Sequence, residues 1–299
     1  MPVGFFSAAT DPTAMDVDCA GCAGCCIDWR PLTDTPHDHE RRGPRRPLDD
    51  TYNLVPLTRD DVTDLLAAGY ADALTPRLWR ATDDPTVTVD GVDLAAIDGR
   101  PAFFLGLRTP PKPVAPFDTE PTWLHTCVFL DPTTLQCRIH DTDLYPTECG
   151  AYPAHNLDLG AETECERVED AFGGTRLRDR SVPPEVGPRL LGPQAIGHTV
   201  FAYPDPTELE GVIEDIAART IDPATRARFV AVAAASAPGT VELNDDRFAE
   251  ALATARTARS WAGAAIDDWT DRADTSAADP SLAAAIEDDR GAPGTPGWD

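Results

Sequence analysis

Lysine is almost missing from this chain of 299 residues: Lys112 is the only one, and Arg carries the remaining positive charge. Against 25 basic residues stand 51 acidic ones, for a formal charge of −26. A chain so short of cations is poorly equipped to neutralise phosphates, which argues against nucleic acid as a direct partner. Acid-rich, Lys-poor composition suits concentrated salt, where self-repulsion is screened and solubility is the harder problem. No stretch approaches the ~18–20 continuous apolar residues of a membrane span. Residues 1–14 lack the basic start and apolar core of a secretory signal, so a cytoplasmic protein without a membrane partner is expected. No internal repeat is evident. No Gly-rich nucleotide loop follows a strand either, since Phe172-Gly173-Gly174-Thr175 lacks that setting.

Cysteine is what the chain has instead. Four of its eight cysteines fall in Cys19-Ala-Gly-Cys22-Ala-Gly-Cys25-Cys26. Small spacers let the backbone wind tightly, and Gly21 and Gly24 are expected to take positive φ. Several thiols can then point at one centre, as in a zinc or iron–sulfur site. A second group follows: Cys127-Val128-Phe129-Leu130, Cys137-Arg138-Ile139-His140 and Pro146-Thr147-Glu148-Cys149. Phe129-Leu130 and Cys137 to Ile139 flank a polar turn, which predicts a hairpin presenting two thiols. In a cytoplasmic protein such groups point to metal rather than to disulfides.

Cys19, Cys22, Cys25, Cys26, Cys127, Cys137 and Cys149 are therefore the candidate metal ligands. Seven exceed the four that one tetrahedral zinc or one [4Fe–4S] cluster needs. Neighbouring side chains of an extended chain point apart, so Cys25 and Cys26 are expected to serve two metals or to leave one thiol outside the ligand set. The two groups are expected to converge, closing a loop of about 100 residues. Pure sulfur ligation suits zinc and iron alike, and the close spacing of the first group leans towards iron–sulfur. His140 is a possible nitrogen ligand and His125 a weaker one. Cys165, between acidic residues, reads as a surface thiol outside the pattern.

Around these groups the periodicities predict an α+β fold: an irregular cysteine-rich core with short strands and a hairpin, then a helical C-terminal region. Leu57-Thr58-Arg59-Asp60-Asp61 opens a helix with Thr58 as cap, Val62, Leu65 and Leu66 inside, and Gly69 at its end. Residues 86–92 predict two strands about an Asp90-Gly91 turn, and 102–107 a further strand. The Pro-rich stretch 110–121 reads as a loop. Asp205-Pro206 and Asp222-Pro223 are helix starts. From Asn244 one long helix places Phe248, Leu252, Ala255, Ala262, Ile266 and Trp269 on a seam, for packing or for a protein partner. The expected division is a cysteine-cluster domain at 15–170, a helical region at 171–272 and a disordered acidic tail at 273–299. The Arg41 to Arg46 run, with His37 and His39 before it, reads as a solvated loop or as an offset to thiolate charge.

Cys-x-x-Cys-x-x-Cys-Cys, then Cys-x-Phe-Leu, Cys-x-Ile-His and Pro-x-x-Cys-x-x-Tyr-Pro, resemble the YkgJ-type cysteine-cluster family. That family is described as a zinc- or iron-chelating domain of the CxxCxxCC type. The resemblance spans Cys19 to Pro153 and includes the Leu57-Thr58 helix start. Tyr145 and Gly150 stand where such families tend to have Arg, and His140 where an aromatic is usual. The resemblance implies metal or iron–sulfur binding. It also implies a methyltransferase alternative, through similarity to the cysteine region of flagellin lysine methylases. A purely structural zinc module is the third reading. No reaction follows from the residues themselves.

Overall fold

The computed structural model describes residues 21–34, 45–182 and 189–296. Cys19, His37, His39 and Arg41 to Pro44 lie outside these residues. The fold mixes α and β, with an antiparallel sheet early in the chain and most of the helices in its second half.

Short-range chemistry builds the first elements. After β1 (Arg45–Pro47), helix α1 (Arg59–Ala67) begins at a full capping box: Thr58 Oγ1 accepts from Asp61 N at 3.1 Å, and Asp61 Oδ2 accepts from Thr58 N at 2.8 Å. Strand β2 (Leu74–Ala81) follows. Strands β3 (Thr86–Val89) and β4 (Val92–Ile97) then pair about Asp90-Gly91, both at positive φ, as an Asp-Gly turn requires. Strand β5 (Arg100–Leu107) pairs with both β4 and β2, while β2 also touches β4, so the sheet curls on itself.

Pro111 does not lie in a loop. Strands β6 (Pro111–Val114) and β7 (Thr122–His125) form a separate two-stranded ribbon through the segment predicted to be irregular. A two-stranded ribbon leaves one side of each strand unpaired, so the missing N–H groups of Pro111 and Pro113 are tolerated. Three short helices follow, α2 (Thr147–Ala151), α3 (Ala154–Asp158) and α4 (Glu164–Phe172).

The rest of the chain returns to the sheet. Strand β8 (Phe201–Ala202) adds to β5, and after α5 (Ile213–Ala218) helix α6 (Pro223–Ala235) packs on it. Phe229 of α6 sits edge-on to Phe103 of β5 with centroids 4.9 Å apart. Ala227 and Phe229 to Ala235 are all buried, because α6 meets the sheet on one side and α1 and α7 (Asp245–Thr257) on others. One apolar core runs from Leu57 to Ile286.

Two helical expectations need correction. The long helix from Asn244 is two helices, α7 and α8 (Trp261–Ala273). Ser260 breaks it by capping α8, and Asp72 holds Ser260 in place by accepting from its N at 2.8 Å and its Oγ at 2.6 Å. Ala262, Ile266 and Trp269 of the expected seam are buried within the chain itself. The acidic tail is not disordered throughout: Asp279 caps a helix α9 (Pro280–Asp289), whose Ala283, Ile286 and Glu287 are buried. Acidic composition masked a helix whose inner face is apolar apart from one carboxylate with buried partners. Among the described residues no helix is long and apolar enough to cross a membrane.

Candidate metal centre

The first thiol run winds more tightly than extended chain. Ala23, not Gly24, takes the left-handed conformation (φ 50°), and Gly24–Cys26 form a 3-10 turn. Gly24 serves by its size: a Cβ there would stand 2.6 Å from Val168 Cγ2 on α4. In the turn the side chains of Cys25 and Cys26 converge, with their Sγ atoms 3.8 Å apart. This corrects the expectation that adjacent thiols point apart, which holds for a strand and not for a 3-10 turn.

The second group comes to the same place. Cys127 N donates to Cys26 O at 2.7 Å, and Ile27 bridges Thr126, so the two segments run side by side. Cys137 bridges Leu130 across the predicted hairpin. Asp131 Oδ1 closes its turn by accepting from Thr133 N at 2.9 Å and Thr134 N at 3.0 Å. Cys149 arrives on α2, whose Thr147 donates from N (3.1 Å) and Oγ1 (2.9 Å) to Asp61 Oδ1. One carboxylate thus closes the capping box of α1 and anchors the turn that carries Cys149.

Five thiols influence one another electrostatically. Burial raises the pKa of Cys149 well above its ordinary value, and Cys127, Cys25 and Cys137 add to the shift. Cys137 is pushed up to about 12 by burial, then by Cys127 and Cys25. Cys127 is raised by burial with a smaller contribution from Cys25. Within the vicinal pair the S–H of Cys26 donates, which lowers Cys25 and raises Cys26 well above the usual thiol range. The half-buried Tyr145 faces the same group: burial, Cys149, Cys137, Cys26 and Cys25 all raise its hydroxyl pKa.

Cys22 is placed differently. Its sulfur accepts from Arg176 Nε at 3.1 Å, and Arg176 lies over the Phe117 ring at 5.5 Å. Cys165 lies on α4, half-buried. His125 is committed elsewhere: Nδ1 donates to Thr109 O at 2.9 Å and Nε2 accepts from Arg219 at 3.0 Å, with burial lowering its pKa. His140 sits with Nδ1 3.2 Å from Asp141 and its ring edge-on to Tyr145 at 4.9 Å. The six cysteines from Cys22 to Cys149 are thiols, not disulfides. Among the described residues, no three His, Cys, Asp or Glu side chains stand arranged as ligands of one ion.

Buried charge braces the site from behind, and only the solitary lysine hinted at it. Lys112 is fully buried, 2.8 Å from Glu287 of α9 and 4.3 Å over the Trp269 ring. It donates to Val128 O at 3.0 Å and Leu130 O at 2.6 Å, on the first arm of the thiol hairpin. Arg138, on the second arm, meets Glu287 at 2.6 Å and Asp131 at 3.2 Å. On the other side Glu164 Oε1 accepts from Trp29 at 2.5 Å and Tyr52 at 2.7 Å, with Arg167 at 2.9 Å on Oε2.

A family of unknown function, DUF7531, matches residues 15–299. The chain belongs to this family. No curated protein and no solved structure matches the chain. Nothing in these comparisons links it to the cysteine-cluster family of the thiol pattern.

Proposed function

We propose that this member of the DUF7531 family is a metal-binding protein whose centre is built on Cys25, Cys26, Cys127, Cys137 and Cys149. The observation that carries the reading is the 3.8 Å separation of Cys25 Sγ and Cys26 Sγ. Two thiolates on one tetrahedral ion, each bonded at about 2.3 Å, stand about 3.8 Å apart. A vicinal pair at that spacing suits a single zinc or iron ion, or one iron of a [2Fe–2S] centre. It suits a [4Fe–4S] cubane less well, where each iron takes its own thiolate. Cys127, Cys137 and Cys149 are the proposed source of the remaining ligands and would have to draw in on the pair as metal binds, and Lys112 holds the hairpin that carries two of them.

The raised pKa values of Cys26, Cys127, Cys137 and Cys149 keep these thiols protonated in the metal-free protein. Metal binding therefore releases protons, and affinity falls as the solution is acidified. Zinc and iron both accept sulfur-only ligation.

The test is metal and acid-labile sulfide analysis of protein purified anaerobically in concentrated salt, with its absorption spectrum. Stoichiometric zinc or iron that is lost in Cys26→Ser and Cys149→Ser supports the proposal. Wild-type protein that stays metal-free after reconstitution with either ion would sink it.

A further inference from the structure

The two thiol segments meet as a short antiparallel ladder about the Ile27–Thr126 bridge. Asp28 N donates to His125 O and Cys127 N donates to Cys26 O, each at 2.7 Å. Bonds placed in this way on either side of a bridge set Cys26 opposite Cys127, with their Cα atoms about 5.5 Å apart. Both side chains are half-buried and pack on one apolar cluster, which contains Ile27, Trp29 and Leu130. The ladder thus fixes two thiols across from one another.

That spacing has a chemical consequence. Disulfides span Cα separations of about 4.4–6.8 Å, and Cys26 with Cys127 falls inside this range. Cys25 with Cys26 falls outside it, because neighbouring Cα atoms along a chain stand about 3.8 Å apart. Closing the vicinal pair would strain the backbone, even though its sulfurs are already in contact. Cys22 is engaged elsewhere, with Arg176 Nε donating to its sulfur at 3.1 Å.

We propose that Cys26 and Cys127 are a redox-active pair, joined into a disulfide by a peroxide when the centre is free of metal. One sulfur attacks an oxygen of hydrogen peroxide; the O–O bond breaks, a sulfenic acid forms and one water leaves. The second sulfur then displaces the sulfenic oxygen, so that an S–S bond forms and a second water leaves. The two thiols lose two electrons and the peroxide gains them. The new bond ties the first thiol run to the hairpin, and it withdraws two sulfurs from the metal centre. That withdrawal rests on the metal reading; the disulfide itself does not.

The deciding experiment treats the full chain, reduced and stripped of metal by a chelator, with stoichiometric hydrogen peroxide. Disulfides are then mapped by mass spectrometry of non-reduced peptides. A Cys26–Cys127 link is expected in the wild type and in Cys25→Ser, and none to Cys127 in Cys26→Ser. A main product linking Cys25 to Cys26, or Cys127 to Cys137 or Cys149, overturns the pairing, as does oxidation without a disulfide. Should a variant not fold, the wild-type peptide map still decides. Zinc uptake by the oxidised protein, before and after dithiothreitol, tests the effect on the centre. Uptake lost on oxidation and restored by the reductant supports it, and equal uptake by oxidised and reduced protein overturns it. Reduced protein that takes up neither zinc nor iron removes the metal reading alone, and the map still decides the pairing.

Discussion

Phe103 and Glu287 are both completely buried, and they mark two kinds of interior. Around Phe103 lie Phe201, Phe229 and Tyr203, with ring centroids 4.9–6.4 Å away, in a core assembled from sheet and helix faces. Around Glu287 lie Lys112 and Arg138, whose remaining hydrogen bonds reach Val128, Leu130 and Pro293 carbonyls. The first interior tolerates approximate solutions, because apolar contact is non-directional. The second does not, because a buried charge that loses its partner keeps its full desolvation cost. The thiol hairpin belongs to the second kind. Its few strand pairings are isolated bridges, and an ionic bracket supplies rigidity that regular structure does not.

The largest test of that difference is Glu287→Ala. It leaves Lys112 and Arg138 buried without their shared carboxylate, and we expect a loss of about 3–5 kcal/mol in denaturant unfolding. A loss below about 1 kcal/mol, typical of an exposed ion pair, would mean that the bracket does not hold the hairpin. Gly24→Ala probes the first thiol run, where the new methyl meets Val168. The expected cost is about 1–3 kcal/mol in thermal or chemical unfolding. Combining it with Val168→Ala should cost less than the two separate effects summed, and strict additivity would refute the contact.

The third test concerns pH in the metal-free protein. The Cys137 pKa rises from 9.0 to about 12 on folding. Its contribution to stability is complete below pH 9, and is lost as pH rises from about 9 towards 12, where the unfolded chain binds fewer protons than the folded one. Cys127 and Cys149, also raised, act in the same direction. Cys137→Ala should therefore make the alkaline fall in melting temperature shallower. An unchanged slope would place Cys137 in a more solvated setting than its neighbours imply.

Legibility followed the range of each interaction. The start of α1 was readable because Thr58 and Asp61 complete their exchange within one turn, and the β3–β4 hairpin because Asp90-Gly91 suits a single turn type. Ser260 could not be recognised as a break in an Ala-rich helix, since its anchor is Asp72, 188 residues away. Helix α9 was hidden in an acidic tail, because Glu287 finds Arg138 at a separation of 149 residues. At the thiols, the order of cysteines predicted two groups that approach one another. The turn that brings Cys25 and Cys26 together and the diversion of Cys22 to Arg176 were not visible in the pattern. Cys19 lies outside the described residues.

The amino-acid order by itself determined the caps, the tight turns, the hairpin of the second thiol group and the sulfur-rich character of the site. Each of these closes over a few residues, where side-chain type and backbone preference suffice. Tertiary structure alone decided which thiols meet, which histidines are occupied elsewhere, and that the last helix braces the hairpin. Those outcomes depend on buried charges and sulfurs finding partners far along the chain, and periodicity carries no record of such pairings.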